Sequence, residues 1–273
     1  MIDQRIGFIG AGRMAAALAR GFLRAELTTA DRLLASDVDG QSRRRFAQTT
    51  SAPTTDDNSL VADRSDVIFL AVKPRRMAEV AEGLRGKIAD DRLLVSIAAG
   101  IRLTSLAQWF GAQSRLVRVM PNNPCLVGHG ASAYCLGRRA TAGDGALVGR
   151  LLGALGSAWL LEEKQMDAAT GLSGSGPAFV YRMIETLGEA GARLGLPPDV
   201  AASMAAQTVR GAAEMVLATG LPPAELVDSV ASPGGTTIAG LQALESGGFR
   251  ATLISAVEAA ARRSMELGAS NLV

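Results

Sequence analysis

The chain has 273 residues, which exceeds one ordinary domain of about 150 residues and predicts two domains. Hydrophobic residues make up 48% and charged residues 20%, a composition that excludes disorder and polar low-complexity sequence. The 28 basic and 26 acidic residues nearly cancel, and the weak net charge of +2 argues against nucleic acid or an anionic membrane as partner.

The chain has two cysteines, Cys125 and Cys135, and one histidine, His129. These are too few for a disulfide framework or for a metal site that needs two histidines, and no Cys-x-x-Cys spacing is present. The first residues lack the pattern of a signal peptide, and no run reaches about 18 apolar residues. We therefore expect a soluble, cytoplasmic protein with no metal site and no membrane contact.

Up to about Leu161, short apolar runs alternate with stretches whose apolar residues recur every three to four positions. The runs are typical of buried strands and the stretches of helices, and parallel strands need such helical crossovers. We predict a doubly wound α/β domain over residues 1–162 and a second domain over residues 163–273. The predicted strands lie at 6–9, 32–36, 66–72, 92–98, 115–120 and 131–136.

The sequence IGFIGAGRMA at 6–15 places Gly10 and Gly12 directly after the first predicted strand and directly before a helix. Gly10 permits a tight turn. Gly12 has no side chain to block a pyrophosphate, which would lie on the N–H groups of the helix N-terminus. Ala15 replaces the third glycine of the dinucleotide-binding fingerprint. In this context the turn predicts a dinucleotide site rather than a glycine turn that serves only helix packing.

The second predicted strand ends in Ser36 and Asp37, a hydroxyl and a carboxylate. An acidic residue here binds the ribose 2′-hydroxyl of NAD, whereas a basic residue accepts the 2′-phosphate of NADP. Arg43, Arg44 and Arg45 follow on the next predicted helix, where they either reach the cofactor or form a solvated face. The residues alone leave the choice between NAD and NADP open.

After Glu162 the pattern is helical, with proline at helix starts and glycine past helix ends. Residues 198–219 are apolar or small around most of the helix circumference, and such a helix requires burial on several sides. Because the second domain alone is too small to cover it, we predict that a second subunit does. The predicted helices are 177–194, 198–219, 223–229, 237–246 and 249–268.

Two stretches rich in small polar residues, 171–179 and 228–241, each precede a predicted helix. Their exposed N–H groups suit a small anion such as a carboxylate, although capping and close helix packing would also explain them. The second domain has no histidine, and its one lysine, Lys164, and one tyrosine, Tyr181, are poorly placed for acid–base catalysis. A cyclic imine that arrives protonated fits this composition, because it accepts hydride after positioning alone.

These motifs resemble those of the pyrroline-5-carboxylate reductase family, in the same order along almost the whole chain. The segment SPGGTT with its flanks is the most specific mark of the family. The matching segments are IGFIGAGRMA at 6–15, SDVIFLAVKP at 65–74, SIAAGI at 96–101, RVMPNNP at 118–124, GLSGSGPAFVY at 171–181, DSVASPGGTTIAGL at 228–241 and LESGGFR at 244–250.

The resemblance implies a Rossmann domain followed by an all-helical domain that interlocks with its twin in a homodimer, often within a ring of dimers. It implies an oxidoreductase that passes hydride from NADPH, or from NADH, to the C=N carbon of 1-pyrroline-5-carboxylate. The product is L-proline, in the last step of proline biosynthesis. The resemblance favours NADPH over NADH.

By motif, the resemblance assigns the substrate carboxylate and ring to the SPGGTT segment, with Thr237 as the catalytic contact to the imine nitrogen. It assigns the pyrophosphate to the glycine turn, the adenosine to Ser36 and Asn58, the cofactor crevice to residues 71–74, and the nicotinamide side to Ala99 and Asn122. The substrate-binding residues are then Ser232, Gly234, Gly235, Thr236 and Thr237, and the cofactor-binding residues are Gly10, Ala11, Gly12, Arg13, Met14, Ser36, Asn58, Ala71, Val72, Lys73, Pro74, Ala99 and Asn122.

Arg13 stands where the family usually has asparagine, and it either directs a cation at the phosphates or points to solvent. Lys73 either lines the cofactor site or, with Pro74, only marks a turn. A β-hydroxyacid dehydrogenase is a rival with a similar layout, but it needs a catalytic lysine four residues after the last glycine of its G-x-G turn. This chain has Val180 there. A non-catalytic dinucleotide sensor is a third hypothesis, against which the SPGGTT segment argues.

Overall fold

The computed structural model describes residues 1–270, which divide into two compact units. The first unit comprises Met1–Ser175 and the chain from Ala259 onward, and the second comprises Gly176–Glu258. None of the described helices is long and apolar enough to cross a membrane. Within the same residues, no group of three or more His, Cys, Asp or Glu side chains is placed to hold a metal ion.

One eight-stranded sheet forms the centre of the first unit. Its strands are β1 (Ile6–Ile9), β2 (Leu33–Ser36), β3 (Thr54–Thr55), β4 (Val67–Leu70), β5 (Leu93–Ser96), β6 (Arg115–Met120), β7 (Gly130–Leu136) and β8 (Gly156–Leu160). Their order in the sheet is β3-β2-β1-β4-β5-β6-β7-β8. All six predicted strands are present with ends within two residues of the prediction, whereas β3 and β8 were not predicted.

The pairing of β6 with β7 is antiparallel, whereas the other neighbouring strands of the sheet pair in parallel, as the doubly wound prediction expects. The connection between β6 and β7 contains only the short turn Asn123–Val127. A parallel pair needs a crossover of about a dozen or more residues, which this connection does not provide. The helix Ala142–Gly153 supplies such a crossover after β7, and β8 accordingly runs parallel to β7.

Helices cover the sheet of the first unit: α1 (Arg13–Arg24), α2 (Gly40–Thr50), α3 (Asn58–Arg64), α4 (Met77–Gly83), α5 (Leu103–Phe110), α6 (Ala142–Gly153) and α7 (Met166–Ala169). One core contains the aromatic rings of Phe8, Phe22 and Phe69, and the ring centroids of Phe8 and Phe69 lie 5.2 Å apart. A second core contains Ile9 and Ile68. Because β1 contributes side chains to both cores, all four of its residues are buried, as its apolar run predicts.

A buried ion pair fixes α6 to the sheet. The Asp144 carboxylate, 3% exposed, binds the Arg115 guanidinium at the start of β6 and accepts a hydrogen bond from the Thr141 N–H at 2.7 Å. Burial raises the pKa of Asp144, but the hydrogen bonds from Arg115 and Thr141 outweigh it and leave the pKa below its usual 3.8. The pair therefore stabilises the fold above the unfolded-state pKa, and this stabilisation is lost as the pH falls through the lowered folded-state pKa.

We expect Asp144→Asn to lower the free energy of unfolding by about 2 kcal/mol at pH 7, because it weakens the hydrogen bonds of a buried carboxylate while the Arg115 side chain is 33% exposed. Chemical denaturation of both proteins measures this difference, which should shrink at acid pH. The control is Asp63→Asn, since Asp63 is exposed on α3. Equal stability of the Asp144 variant and the wild type at pH 7 would contradict the structural role of the pair.

The second unit is entirely helical over the residues described. Its helices are α8 (Gly176–Arg193), α9 (Pro198–Thr219), α10 (Pro223–Val230), α11 (Thr236–Ser246) and α12 (Phe249–Ser270), the last of which continues into the first unit. All five predicted helices are present, with ends within two residues of the prediction.

Few side chains of the second unit are buried. Only Gly188, Ala201 and Ala205 are buried within residues 176–258, at the close approach of α8 and α9. A Cβ on Gly188 would lie 3.2 Å from the Ala202 Cα, so the two helices meet through small residues. Large apolar side chains remain exposed, including Leu217 at 78%. A unit with so little core of its own is typical of a domain completed by another subunit.

Candidate active site

The glycine turn between β1 and α1 lies against the ends of two neighbouring strands. The Gly10 N–H donates to the Ser36 carbonyl at 2.8 Å, and the Ala71 N–H donates to the Ile9 carbonyl at the same distance. Gly10 has φ +99°, and a Cβ there would lie 2.7 Å from the Ala71 carbonyl oxygen. Glycine is therefore required at this position for both backbone conformation and space.

Gly12 is the N-cap of α1 and has extended backbone, with φ −72° and ψ −176°. No side chain caps this helix, and a Cβ on Gly12 would meet nothing within 4 Å. The N–H groups of the first turn and the positive end of the helix dipole are therefore open to an anion. A pyrophosphate fits this arrangement, so the residues present are compatible with a bound dinucleotide.

A cavity of about 730 Å³ lies beside the turn, at the carboxyl ends of β1, β2 and β4. Ligands bind in this crevice in open α/β sheets. Six of the predicted cofactor residues line it, namely Gly10, Gly12, Asn58, Ala71, Val72 and Lys73. Asp37, the carboxylate that the sequence offers at the end of the second strand, also lines it. The lining further includes residues that were not predicted as site residues: Val38, Asp39, Ser42, Asp57, Ser59, Arg75, Arg76, Glu79, Val80 and Gly83. Asp37, Val38 and Asp39 directly follow β2, and that position is a sequence signal for them, whereas Glu79, Val80 and Gly83 belong to α4 and carry no such signal.

The other predicted cofactor residues lie near the turn or farther along the sheet and do not line the cavity. Arg13 is exposed at the start of α1, Met14 packs partly against the core, and Pro74 begins a short turn after Lys73. Ala99 is exposed in the segment after β5, on the far side of β4 in the sheet.

Two predicted polar residues use their side chains inside the protein. Ser36 is fully buried, and its hydroxyl donates to Asn58 Oδ1 at 2.7 Å, so it orients Asn58 toward the cavity wall. Asn122 is 6% exposed, donates through Nδ2 to the Ser173 carbonyl at 3.0 Å and accepts at Oδ1 from the Ala131 N–H at 2.9 Å. Its amide thus joins the β6–β7 connection to the segment before α8.

The Asp37 carboxylate is fixed next to the glycine turn. Its Oδ2 accepts from the Ala11 N–H at 2.9 Å, and its Oδ1 accepts from the Asp39 N–H at 3.0 Å. Asp39 in turn caps α2 by accepting from the Gln41 and Ser42 N–H groups. The hydrogen bonds from Ser42 and Gln41 hold the pKa of Asp39 below its usual value, so this wall of the cavity is anionic at neutral pH.

The SPGGTT segment forms a tight turn that leads into α11. The Gly235 N–H donates to the Ser232 carbonyl at 2.9 Å, and Gly234 has φ +70°. This is the geometry of a type II turn, which takes proline at its second position and glycine at its third. Gly235 is the N-cap of α11, and no side chain caps the helix. The N–H groups that follow, at Thr236 and Thr237, are therefore available to a carboxylate.

The predicted substrate residues thus lie together, on one turn and the first turn of one helix. Ser232, Gly234 and Thr236 are exposed, and Gly235 and Thr237 are half-buried. Tyr181, the one tyrosine of the helical half, is 56% exposed on α8.

The two cysteines offer no nucleophile. Burial raises the pKa of Cys125, and burial together with the Glu163 charge raises the pKa of Cys135 to about 12. Both therefore stay as thiols at neutral pH, and neither is in a disulfide.

Two family descriptions match parts of the chain. The family model described as pyrroline-5-carboxylate reductase dimerisation matches residues 163–267, which contain the SPGGTT turn. The family model described as NADP oxidoreductase, coenzyme F420-dependent, matches residues 5–100, which contain the glycine turn. The two descriptions thus correspond to the helical part and to the first strands and helices of the sheet.

Relatives and solved structures match over nearly the full length. The pyrroline-5-carboxylate reductase of Glycine max is 47% identical over 262 residues, 96% of this chain and 95% of that protein. A pyrroline carboxylate reductase of Plasmodium falciparum, crystallised with NADP bound, is 34% identical with a TM-score of 0.89, covering 98% of this chain and 99% of that one. The enzyme of Coxiella burnetii is 34% identical with a TM-score of 0.91, covering 97% and 99%.

The relatives share the sheet, the glycine turn region and the helical unit as one continuous match, and not the nucleotide-binding half alone. The match confirms the predicted fold, a Rossmann domain followed by an all-helical dimerisation domain. At this identity and coverage, the chain belongs to the pyrroline-5-carboxylate reductase family.

Proposed function

We propose that this chain reduces 1-pyrroline-5-carboxylate to L-proline with NADPH or NADH, the last step of proline biosynthesis. The observation that carries the proposal is the uncapped N-terminus of α1 behind Gly12, in a chain that matches the family over 96% of its length. It provides the pyrophosphate site that a nicotinamide-dependent reductase requires.

When bound, the reduced nicotinamide supplies the hydride that the C=N carbon of the substrate accepts. The N–H groups of residues 12–14 hold the pyrophosphate, because those of Gly10 and Ala11 already donate within the protein. Ser36 holds Asn58 against the adenosine side of the cavity. Residues 71–74 form the crevice wall after β4. Ala99 and Asn122 face the nicotinamide in this proposal.

The turn 232–237 binds the substrate. The N–H groups at the start of α11 donate hydrogen bonds to the carboxylate, and the Thr237 hydroxyl contacts the imine nitrogen. Because the imine is protonated before it binds, the reaction needs no strong acid from the protein, in agreement with the lack of lysine and histidine in residues 176–258. Thr237 then positions the ring and accepts a hydrogen bond from the ring N–H.

The oligomeric state of the protein is part of the proposal. The dimerisation match and the exposed apolar side chains of α9 support a homo-oligomer, and we propose a dimer in which the helical units interlock, with a ring of dimers as the larger form. The domain division at 162/163 is supported by the start of that match at residue 163. The cytoplasmic location and the lack of nucleic-acid partners stay predictions.

Absorbance at 340 nm, followed with 1-pyrroline-5-carboxylate and either NADPH or NADH, tests the proposal. We expect substrate-dependent oxidation of the nicotinamide and formation of L-proline, detected by amino-acid analysis. The control is a 3-hydroxy acid with the oxidised cofactor, which should give no absorbance change because position 180 is valine. Dinucleotide binding without turnover would support the sensor hypothesis, and turnover of the 3-hydroxy acid would support the rival dehydrogenase.

A further inference from the structure

We propose that Arg118 is a positioning residue for hydride transfer, because it fixes the two segments that connect the helical unit to the sheet. These connecting segments are residues 166–175, before α8, and residues 259–267, within α12. The inference rests on the proposed function, which places the cofactor on the first unit and the substrate turn on the second. Hydride transfer needs the reacting atoms about 3–3.5 Å apart, and a misplacement of about 1 Å can slow it a hundredfold.

Arg118 is a buried cation in the middle of an apolar strand. It lies in β6 and is 4% exposed, and its strand neighbours Val117 and Val119 are buried as well. Its Nη1 lies 3.3 Å from the Glu163 carboxylate and its Nη2 3.6 Å from the Asp167 carboxylate. Because apolar side chains of similar volume often give equal or greater stability than a buried ionic cluster, stability alone does not explain an arginine here.

The first connecting segment is held by β6 and by the residues that follow this strand. Asp167 lies on α7, where Arg118 pairs with it. Asn122, shortly after the end of β6, donates to the Ser173 carbonyl at 3.0 Å. The chain passes into the second unit after Ser175. Two contacts from one strand and its extension therefore fix the segment directly before it leaves the first unit.

The second connecting segment is held through the same carboxylate. The chain returns to the first unit at Ala259, within α12. Ser264, which is 4% exposed, donates from Oγ to Asp167 Oδ1 at 2.6 Å. Asp167 Oδ1 is also the oxygen that lies 3.6 Å from Arg118. Arg118 thus holds one connecting segment directly and the other through Asp167.

Both connecting segments contact the nicotinamide side of the proposed cofactor site. Asn122, which is assigned to that side, bonds the first segment directly. Gly100 follows Ala99, the other residue assigned there, and a Cβ on Gly100 would lie 3.2 Å from the Leu267 Cβ on α12. The glycine turn follows β1, which β4 and β5 separate from β6 in the sheet. A shift of either segment therefore changes the nicotinamide side while leaving the pyrophosphate site in place.

Single-turnover hydride transfer in Arg118→Lys tests the inference. With enzyme in excess over NADPH and saturating 1-pyrroline-5-carboxylate, the decay of nicotinamide fluorescence gives the rate constant of the bound complex. A denatured fraction lowers the amplitude of this decay but not its rate constant, so a merely structural role would not change the constant. We expect the constant to fall at least about tenfold, because lysine keeps the charge but cannot hold two carboxylates with one planar group. The dissociation constant of NADPH should change less than about threefold.

Ser264→Ala provides a second variant, since it removes one hydroxyl from the cluster and keeps Arg118 and its partners. We expect its rate constant to fall about threefold or more. If the two residues act through Asp167, the double variant with Arg118→Lys loses less than the product of the two single losses. A loss equal to the full product would overturn the inference, because the two residues would then act separately.

The control is Asp144→Asn, which weakens a buried pair in the same unit and lies outside both connecting segments. Its rate constant should equal that of the wild type. Unchanged rate constants in both Arg118→Lys and Ser264→Ala, or an equal loss in the control, would overturn the inference and leave the proposed function intact. A wild-type protein without hydride transfer would overturn the proposed function, and the inference with it.

Discussion

Replacement of Gly12 by valine is expected to abolish dinucleotide binding while leaving the fold intact. In the structure a Cβ at this position meets nothing within 4 Å, so the larger side chain costs the folded protein little. The same open space is where a pyrophosphate would lie on the N–H groups of α1. We expect the dissociation constants of NADH and NADPH to rise at least about a hundredfold, or about 3 kcal/mol.

The control for this prediction is Gly153→Val, because Gly153 also has open space around its Cβ position and does not line the cavity. Both variants should show melting temperatures close to that of the wild type. Only the Gly12 variant should lose the fluorescence change on cofactor addition. Normal cofactor affinity in a folded Gly12→Val protein would place the pyrophosphate elsewhere.

Local sequence patterns sufficed to predict the glycine turn and the strands that flank it. β1 is an apolar run buried on both faces, and Gly10 after it is required by its backbone conformation. The helices of the second unit were predictable for a similar reason, since Pro198 and Pro223 start helices and Gly220 ends one in the left-handed conformation.

Features that depend on tertiary structure were not predictable from the same patterns. The sequence places Asp37 after a strand, but its contact with the Ala11 N–H exists only because β1 and β2 are neighbours in the sheet. Likewise, Asn122 bonds Ser173, which is distant along the chain. The short edge strand β8 was missed, because Trp159 and Leu160 within it are about half exposed and form no buried apolar run.

Gly235→Val is expected to have the second large effect, on turnover rather than on cofactor binding. A Cβ at Gly235 would meet the Ser232 hydroxyl oxygen and would lie 3.0 Å from the Ser232 carbonyl oxygen, so the bulkier valine side chain forces the turn to shift. Because the Gly235 N–H bonds Ser232 and Gly235 is the N-cap of α11, this shift displaces the N–H groups at the start of the helix. We expect kcat/KM for 1-pyrroline-5-carboxylate to fall about a thousandfold, or about 4 kcal/mol.

The dissociation constants of the cofactors should stay close to the wild-type values in this variant, because the glycine turn is in the other unit. A milder pair separates steric conflict from a general loss of structure. Gly235→Ala brings the added methyl group against the Ser232 hydroxyl, and Ser232→Ala removes that hydroxyl. If the conflict is the cause, the double variant loses less activity than the product of the two single losses, a coupling that a double-mutant cycle measures. Strictly multiplicative losses would exclude this steric conflict as the cause, and a fully active Gly235→Val protein would show that the turn before α11 does not hold the substrate.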